Sequence, residues 1–324
     1  MKAVVCREWG GPSMLVIEDL PVPKPGPGEV RVRVRAAGVN YPDVLLIQKK
    51  YQIQPALPFS PGAEAAGEVV ALGANVSGLA LGARVACLPL WGCFAEELVV
   101  PASACYPLPA AVSFEVGASL PMVYGTSWHA LRDRAQLAAG ETLLVLGAAG
   151  GVGLAAVEIG KLAGARVIAA ASSAEKLAVC QAHGADGLID YASEDLREGI
   201  KRLTDGKGPD VIYDPVGEKF SEPAFRSIRW RGRHLVIGFA AGAIPAIPWN
   251  LPLLKGASIV GVFWGDFHKR EPDRARKEMA ELITAVADGR MEPLVSKRYS
   301  LDQAPQALMD MAARKVVGKV VVVP

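Results

Sequence analysis

Hydrophobic and polar positions alternate along the first third of the chain in short runs that are typical of β-strands. Residues 29–35 place valine at every second position, with arginines in between. Such alternation predicts a strand with one buried and one solvated face. Similar short strands are predicted at 67–72, 84–88 and 94–100, separated by glycine-rich turns. Closely spaced short strands favour a partly open β-barrel.

From about residue 123 the pattern changes to continuous apolar strands that alternate with helices. Strands are predicted at 142–146, 166–171, 187–190, 209–214, 234–238 and 258–263, and helices at 151–162, 174–182, 195–204, 220–227 and 274–288. Strands that are apolar on both faces predict a parallel sheet covered by helices, so this part of the chain is expected to be α/β. A last strand at 319–323 is expected to return to the β-rich part.

Composition limits the class of protein further. A chain of 324 residues with 51% apolar residues suggests about two domains. The net charge of +2 gives no excess of basic residues for nucleic acid or an anionic membrane surface. Five cysteines without a Cys-x-x-Cys pair predict a reduced, cytoplasmic protein.

Two segments are relevant to targeting and membranes. The first residues reach a charge before any apolar region forms, so no signal peptide is expected. The uncharged stretch 235–254 is formally long enough to span a membrane. Its three prolines would leave backbone groups unsatisfied in lipid, which favours a buried strand followed by a proline-rich loop.

The strongest chemical motif is a glycine-rich loop between a strand and a helix. Residues 144–153 read LVLGAAGGVG, a Gly-x-Gly-x-x-Gly pattern with Ala148 in the first position. In such a βαβ unit the helix N-terminus offers backbone N–H groups to a pyrophosphate. A dinucleotide is therefore expected to contact Ala149, Gly150, Gly151 and Val152; the alternative is a tight structural turn.

The end of the second strand of this unit indicates which dinucleotide is bound. NAD sites usually carry an acidic residue there, about 20 residues past the glycines. Here the position holds Ser172, followed by Ser173 and Lys176. Hydroxyls and a cation suit a 2′-phosphate, so NADPH is the predicted cofactor. Tyr191 is expected to contact the same phosphate, unless it only packs, and Lys176 would otherwise be a solvated lysine.

Several segments together resemble a known family. They are 36–43 (AAGVNYPD), 58–69 (PFSPGAEAAGEV), 124–131 (YGTSWHAL) and the glycine loop. Over the whole chain they resemble the zinc-free NADPH:quinone oxidoreductase branch of the medium-chain dehydrogenase/reductase superfamily. The resemblance implies a GroES-like, partly open β-barrel catalytic domain at 1–122, a Rossmann doubly wound parallel sheet at 123–264, and a return to the catalytic domain at 265–324. It also implies a homodimer or homotetramer that pairs the Rossmann sheets near 258–265.

The resemblance further implies which residues line the site. Asn40, Tyr51 and Thr126 would contact substrate and nicotinamide, and Phe239, Phe263 and Lys319 would border the cofactor. Structural alternatives are a turn for Asn40, packing for Tyr51 and a helix cap for Thr126. Asp43 is expected to cap a helix, and His129 to be structural.

Zinc is not expected, because zinc-dependent relatives place a Cys and a His at positions that here hold Val39 and Ala63, and Glu64 alone is a poor ligand. Without a Lewis acid an alcohol is hard to oxidise, whereas a quinone or an enone can accept hydride at carbon. The predicted activity is therefore NADPH-dependent reduction of such a small molecule. An enoyl-thioester (enoyl-CoA) reductase and a cofactor-binding regulatory or structural protein with little turnover are the alternatives.

Overall fold

The computed structural model describes all residues, 1–324. Up to residue 122 the chain is mainly β-strand. In chain order the elements are β1 (Lys2–Val5), β2 (Val16–Asp19), β3 (Glu29–Gly38), α1 (Tyr41–Ile47), β4 (Glu64–Leu72), β5 (Arg84–Cys87), β6 (Glu97–Pro101), β7 (Cys105–Pro107) and α2 (Phe114–Gly117).

The following part alternates strands and helices. Its elements are α3 (Gly125–Trp128), β8 (Thr142–Leu146), α4 (Gly151–Leu162), β9 (Arg166–Ala171), α5 (Ala174–Ala182), β10 (Gly187–Asp190), α6 (Leu196–Leu203), β11 (Val211–Asp214), α7 (Ser221–Arg226), β12 (Arg233–Val236), α8 (Asn250–Lys255), β13 (Ser258–Gly261) and α9 (Trp264–Arg270). The chain continues through α10 (Pro272–Ala287), β14 (Val295–Ser300), α11 (Ala304–Ala312) and β15 (Lys319–Val323).

Two compact units make up the molecule. The first consists of Met1–Met122, Met279–Gly289 and Pro293–Pro324, and the second of Val123–Glu278 and Arg290–Glu292. The second unit therefore extends beyond residue 264, where the sequence suggested that it ends. Helix α9 belongs to it because the Phe267 ring stacks on His129 with centroids 4.0 Å apart.

The first unit is built around a seven-stranded sheet. The order is β14-β15-β3-β4-β5-β7, and β6 pairs with β3. The long strand β3 buries Val30, Val32 and Val34 on one face, as its alternating sequence predicts. Strand β15 is antiparallel to β3, which confirms that the C-terminal strand returns to the β-rich part. This arrangement is the predicted GroES-like architecture.

The second unit contains a six-stranded parallel sheet in the order β10-β9-β8-β11-β12-β13. The two halves of the sheet diverge from β8, which is the doubly wound order of a Rossmann fold. Strand β8 and its neighbours are almost completely buried, as their continuous apolar sequences require. Because β8 is central, its carboxyl end brings the glycine loop to the point where the strand order reverses.

The segment 235–254 is more varied than its uncharged sequence indicates. It holds the end of β12, an irregular loop and the short helix α8, which pattern analysis did not anticipate. The helix is amphipathic only in part, since Leu251 is buried and Leu253 and Leu254 are exposed. None of the helices in the structure combines the length and apolar character needed to cross a membrane.

Candidate active site

The glycine loop connects β8 to α4 by a tight turn whose glycines have different tasks. Gly147 has φ +58°, a left-handed conformation that glycine adopts without strain. A Cβ atom on Gly153 would lie 2.3 Å from the carbonyl oxygen of Gly147, so this position admits no side chain. A Cβ on Gly150 would meet nothing closer than 3.4 Å. Gly150 is therefore not required by the protein's own packing, and the space beside it agrees with the expected close approach of a ligand.

Helix α4 begins directly after Gly150, with no side chain capping its N-terminus. The first-turn N–H groups of Gly151 and Val152 thus keep their capacity to bind an anion. Ala149 is buried within the turn and contributes backbone only. The predicted arrangement of strand, glycine loop and helix is present in the structure.

Ser172 and Lys176 come together at the end of β9, where the sequence predicts a phosphate site. The Lys176 ammonium donates to Ser172 Oγ at 3.2 Å, and Ser172 is exposed. Ser173 has another task. Its hydroxyl accepts the Lys176 N–H as the cap of α5, and its hydrogen bond to Glu175 lowers the pKa of that carboxyl. The sequence did not indicate that Ser173 is occupied in this way.

Tyr191 follows strand β10 beside this pair. Its backbone N–H donates to the carbonyl of Ala171, the residue before Ser172. The Tyr191 ring packs on Phe220 with centroids 4.6 Å apart, at an angle of 48°. Tyr191 therefore both packs and lies next to the candidate phosphate site, so the two expectations for this residue are compatible.

Thr126 lies inside α3 and does not cap it. The neighbouring Ser127 hydroxyl is 2.9 Å from the carbonyl oxygen of Val152 and 2.7 Å from the hydroxyl of Tyr213. These bonds hold α3, which contains Thr126, against the first turn of α4. Phe263, at the start of α9, is 60% exposed. Phe239, in the loop after β12, is 37% exposed.

Asp214 supports this region and was not identified from the sequence. It ends β11 and accepts the N–H groups of Val216 and Gly217, each at 2.9 Å. Burial alone would raise its pKa, but hydrogen bonds from His234 and Ser221 hold the pKa of Asp214 below its usual value. The loop that Asp214 fixes packs on the glycine loop, because a Cβ on Gly147 would touch Val216 at 2.9 Å. A strand-end aspartate followed by a glycine three residues later is the signal that would have indicated it.

In the first unit, Lys319 forms the centre of a buried polar cluster. Its ammonium donates to Glu64 Oε1 at 2.8 Å, Asn40 Oδ1 at 2.7 Å and the Val39 carbonyl at 2.9 Å. Lys319 is only 2% exposed. Strand β15 directs this side chain into the buried cluster, where all three of its N–H donors are used, so the expected contact of Lys319 with the cofactor stays a prediction.

Asn40 and Glu64 complete the cluster. The Asn40 amide nitrogen donates to Glu64 Oε1 at 2.9 Å, and the Met122 N–H donates to Glu64 Oε2 at 2.7 Å. Both side chains are buried. Asn40 is consequently held by Lys319 and Glu64 in one orientation just before α1. Its position at the N-cap of α1 agrees with the structural alternative of a turn, and its expected contact with substrate stays a prediction.

Tyr51 and Asp43 line one narrow cavity. Its remaining wall is apolar and includes Ala63 and Met122. Asp43 Oδ2 accepts the Asn40 N–H at 2.8 Å, which confirms the predicted helix cap, but Oδ1 is buried without a partner. Burial raises the pKa of Asp43 to about 7, although the N–H groups of Asn40 and Ala63 and the Lys319 charge act in the opposite direction. Burial and the Asp43 charge raise the pKa of Tyr51.

The positions compared with zinc ligands are apolar and buried. Val39 and Ala63 offer no donor side chain, and Glu64 is bound by Lys319 and Asn40. All five cysteines are buried, free thiols. His129, Asp133 and Glu278 have donor atoms near one another, but Asp133 is bonded to Arg274 and His129 to Glu278. This group is held by a hydrogen bond and an ion pair within the protein, which agrees with a structural His129.

Comparison with known proteins gives a consistent set of relatives. Residues 26–110 match the alcohol dehydrogenase GroES-like domain, and residues 151–285 match the zinc-binding dehydrogenase family. The range that matches the zinc-binding dehydrogenase family does not include Val39 or Ala63, the two positions compared with zinc ligands. A "Quinone oxidoreductase-like protein 2 homolog" from Nematostella vectensis is 39% identical over 99% of this chain and 88% of its own length.

Solved structures agree with this relationship. The Escherichia coli quinone oxidoreductase complexed with NADPH superposes with a TM-score of 0.93, at 27% identity over 100% of both chains. The quinone oxidoreductase from Thermus thermophilus, also solved with NADPH, gives a TM-score of 0.87 at 34% identity, again over 100% of both chains.

Proposed function

This chain belongs to the quinone oxidoreductase branch of the medium-chain dehydrogenase/reductase superfamily, and we propose that it reduces a quinone or an α,β-unsaturated carbonyl compound with NADPH. The observation that carries the proposal is the pairing of Lys176 with Ser172 at the strand end next to an uncapped, glycine-lined helix N-terminus. NADPH, when bound, supplies a hydride from its nicotinamide ring. Two relatives of the same fold were solved with this cofactor.

The second unit supplies the residues that hold the cofactor. The N–H groups at Gly151 and Val152 face a pyrophosphate, and Gly150 lets the backbone approach it. Ser172 and Lys176 donate to the 2′-phosphate, which NADH lacks. Tyr191 adds its hydroxyl at the same place, and Thr126, Phe239 and Phe263 border the nicotinamide half.

Replacing Lys176 with Met should weaken NADPH binding and leave NADH binding unchanged. A charge-assisted hydrogen bond to phosphate is worth about 1.5–3 kcal/mol, which corresponds to roughly a 10- to 150-fold rise in the NADPH Kd. Fluorescence titration with both cofactors measures the difference. Lys201→Met, on the exposed side of α6, serves as the control and should alter neither Kd. Equal weakening of NADPH and NADH by Lys176→Met would contradict the assignment.

The first unit supplies the groups for the substrate, without zinc. Val39 and Ala63 cannot ligate a metal, and the charge on Glu64 is already balanced by Lys319. A conjugated acceptor takes hydride at carbon, so its oxygen needs only a hydrogen bond and a proton. Tyr51 supplies both from the cavity wall, and the Asn40 backbone N–H fixes Asp43 in the same wall.

A substrate panel tests this function. Purified protein of measured metal content is assayed for NADPH oxidation with 1,2-quinones, 1,4-quinones, enones and enoyl-CoA esters. Turnover of quinones or enones without stoichiometric zinc is the expected result. Selective turnover of enoyl-CoA would make it an enoyl-thioester reductase. Tight NADPH binding with no turnover of any acceptor would favour a regulatory or structural role, and one zinc per chain would overturn the metal-free chemistry.

We infer that a second copy of this chain pairs with strand β13. This strand is bonded on one side only, to β12, and it carries no charge or proline that would protect an edge. Large apolar side chains near it in sequence are exposed, with Trp249 at 85% and Leu253 at 78%. An uncharged edge flanked by exposed apolar residues is typical of a pairing surface.

A lysine at Ile259, in β13, should therefore convert a dimer or tetramer into a smaller species. Placing a charge on the paired edge disfavours strand pairing. Light scattering coupled to size-exclusion chromatography measures the mass. Leu81→Lys, at a residue that is 65% exposed in the first unit, provides the matched control and should not change it. A wild-type monomer, or an Ile259→Lys variant of unchanged mass, would reject this surface.

A further inference from the structure

Two buried carboxyl groups of the first unit, Asp43 and Glu64, lie near a single buried cation, the Lys319 ammonium. Asp43 is 1% exposed, Glu64 is not exposed, and Lys319 is 2% exposed. Two carboxylates beside one ammonium would leave an uncompensated negative charge away from water, which is strongly unfavourable. Such a site lowers its free energy by retaining one proton on one of the two carboxyl groups.

The hydrogen bonds decide which carboxyl holds that proton. Glu64 accepts from the Lys319 ammonium, the Asn40 amide and the Met122 backbone N–H, all of which stabilise a carboxylate. Asp43 has no ammonium bonded to it: the Asn40 N–H donates to Oδ2, the Ala63 N–H gives a weaker stabilisation of the carboxylate, and Oδ1 lies buried without a hydrogen bond of normal geometry. A proton on Oδ1 removes the buried charge and gives this oxygen a donor to offer, so Asp43 is the protonated member.

The groups around Asp43 indicate where this proton can be transferred. The titratable groups that act on Asp43, or that Asp43 acts on, are Lys319 on β15, Glu64 on β4, Tyr51 after α1, and the Cys93 thiol. Burial raises the pKa of Cys93 well above its usual value, so this thiol stays neutral. Lys319 is fully bonded, and Tyr51 lines the same cavity as Asp43. Tyr51 is therefore the group that can exchange a proton with Asp43 across the cavity.

We propose that Asp43 is the proton reservoir of the reaction and reprotonates Tyr51 after each turnover. The inference rests on the proposed function, in which Tyr51 protonates the acceptor. When hydride adds at the acceptor carbon, the displaced electron pair resides on its oxygen. The Tyr51 O–H bond breaks as the new O–H bond forms on the acceptor, and the Asp43 proton then moves to the tyrosinate oxygen. Solvent returns a proton to Asp43 before the next cycle.

The protonated carboxyl can be observed without any turnover. Infrared difference spectra of the wild-type protein between acidic and alkaline pH should contain the C=O band of a buried carboxylic acid. That band should disappear with a midpoint near pH 7, the value to which burial raises the Asp43 pKa. It should be missing in Asp43→Asn and unchanged in Asp310→Asn, whose carboxylate accepts the Tyr299 hydroxyl at 2.6 Å. A band that Asp43→Asn leaves unaltered would overturn the assignment.

Kinetics then tests the transfer to Tyr51. Because Asp43 must be protonated to act, the wild-type rate of acceptor reduction should fall as the pH rises through about 7. Asp43→Asn should lower kcat at least about tenfold and remove this inflection, since general acid assistance contributes roughly 100- to 10,000-fold. Tyr51→Phe should lower kcat as well while keeping the infrared band. The double variant should be no slower than the slower single variant, because the two groups act in series.

A failure of the proposed reductase function and a failure of the proton relay give different experimental results. Wild-type protein that reduces none of the acceptors rejects the proposed function, and the infrared band still reports whether Asp43 is protonated. Full activity with an unchanged pH profile in Asp43→Asn rejects the relay while leaving the reductase assignment in place. Thermal unfolding identifies any variant that fails to fold. If Asp43→Asn does not fold, Tyr51→Phe is measured in its place. A reduction rate of Tyr51→Phe that still falls as the pH rises through about 7 would also reject the relay.

Discussion

Gly150→Val is expected to abolish NADPH binding while the fold persists. Gly150 has φ −74° and ψ 170°, an extended conformation that valine adopts readily. A Cβ added at this position would meet no protein atom closer than the Gly147 carbonyl oxygen at 3.4 Å, an ordinary van der Waals contact, so the cost to folding is expected to be small. The same side chain would occupy the space through which the pyrophosphate approaches the helix N-terminus. We expect the Kd for NADPH to rise at least about 100-fold, a loss of about 3 kcal/mol.

Gly11 offers a matched control for this experiment. It precedes a short helical turn with φ −75° and ψ 168°, almost the conformation of Gly150, and a Cβ there would also have free space. Gly11→Val should leave both the Kd and the unfolding temperature unchanged. Gly153→Val should unfold the second unit, because its Cβ would overlap the Gly147 carbonyl. Unaltered NADPH binding by a folded Gly150→Val protein would mean that the phosphates lie elsewhere.

Lys319→Met is expected to destabilise the first unit strongly. Methionine fills a similar volume but leaves the Glu64 carboxylate buried without a cation. Removing one partner of a buried ion pair typically costs about 3–5 kcal/mol. Calorimetry at neutral pH should therefore show a large fall in the unfolding temperature of this unit.

Two further variants make this measurement specific. Adding Glu64→Gln to Lys319→Met should restore part of the lost stability, since the unpaired charge is then absent. Lys297→Met removes an exposed lysine that lies 3.5 Å from Asp310, and a pair of this kind contributes only about 0–1 kcal/mol. If Lys319→Met cost no more than Lys297→Met, the buried cluster would not be an ion pair of structural importance.

The sequence predicted the parts of this protein that depend on local pattern. Strand β8, the glycine loop, helix α4 and strand β9 were all located, because continuous apolar runs and glycines at fixed spacing determine a βαβ unit within a few residues. Asp43 was likewise expected to cap a helix, since its task is set by Asn40 three positions earlier. The pairing of Ser172 with Lys176 also follows from local spacing, as the two are four residues apart.

The buried cluster could not be predicted in this way. Lys319 contacts a residue 255 positions away in the chain, and nothing in the strand KVVVV marks its lysine as buried. Strand periodicity assigns such a side chain to a face, but which face is covered depends on how β15 pairs with β3 and β14. The task of Asp214 was missed for a related reason, because its partner His234 comes from the next strand of the sheet.

The number of residues between Glu64 and Lys319 also affects the order in which the two units can fold during synthesis. At about 5–20 residues per second, a ribosome would expose Glu64 roughly 13 to 50 seconds before it has synthesised Lys319, 255 residues later. During that interval the nascent β-rich segment has a carboxylate to bury and no cation to bury it with. The parallel-sheet unit needs only a short later segment, Arg290–Glu292, from beyond its main stretch. Vectorial synthesis should therefore let the inserted unit fold first and delay completion of the N-terminal unit until its C-terminal strand emerges.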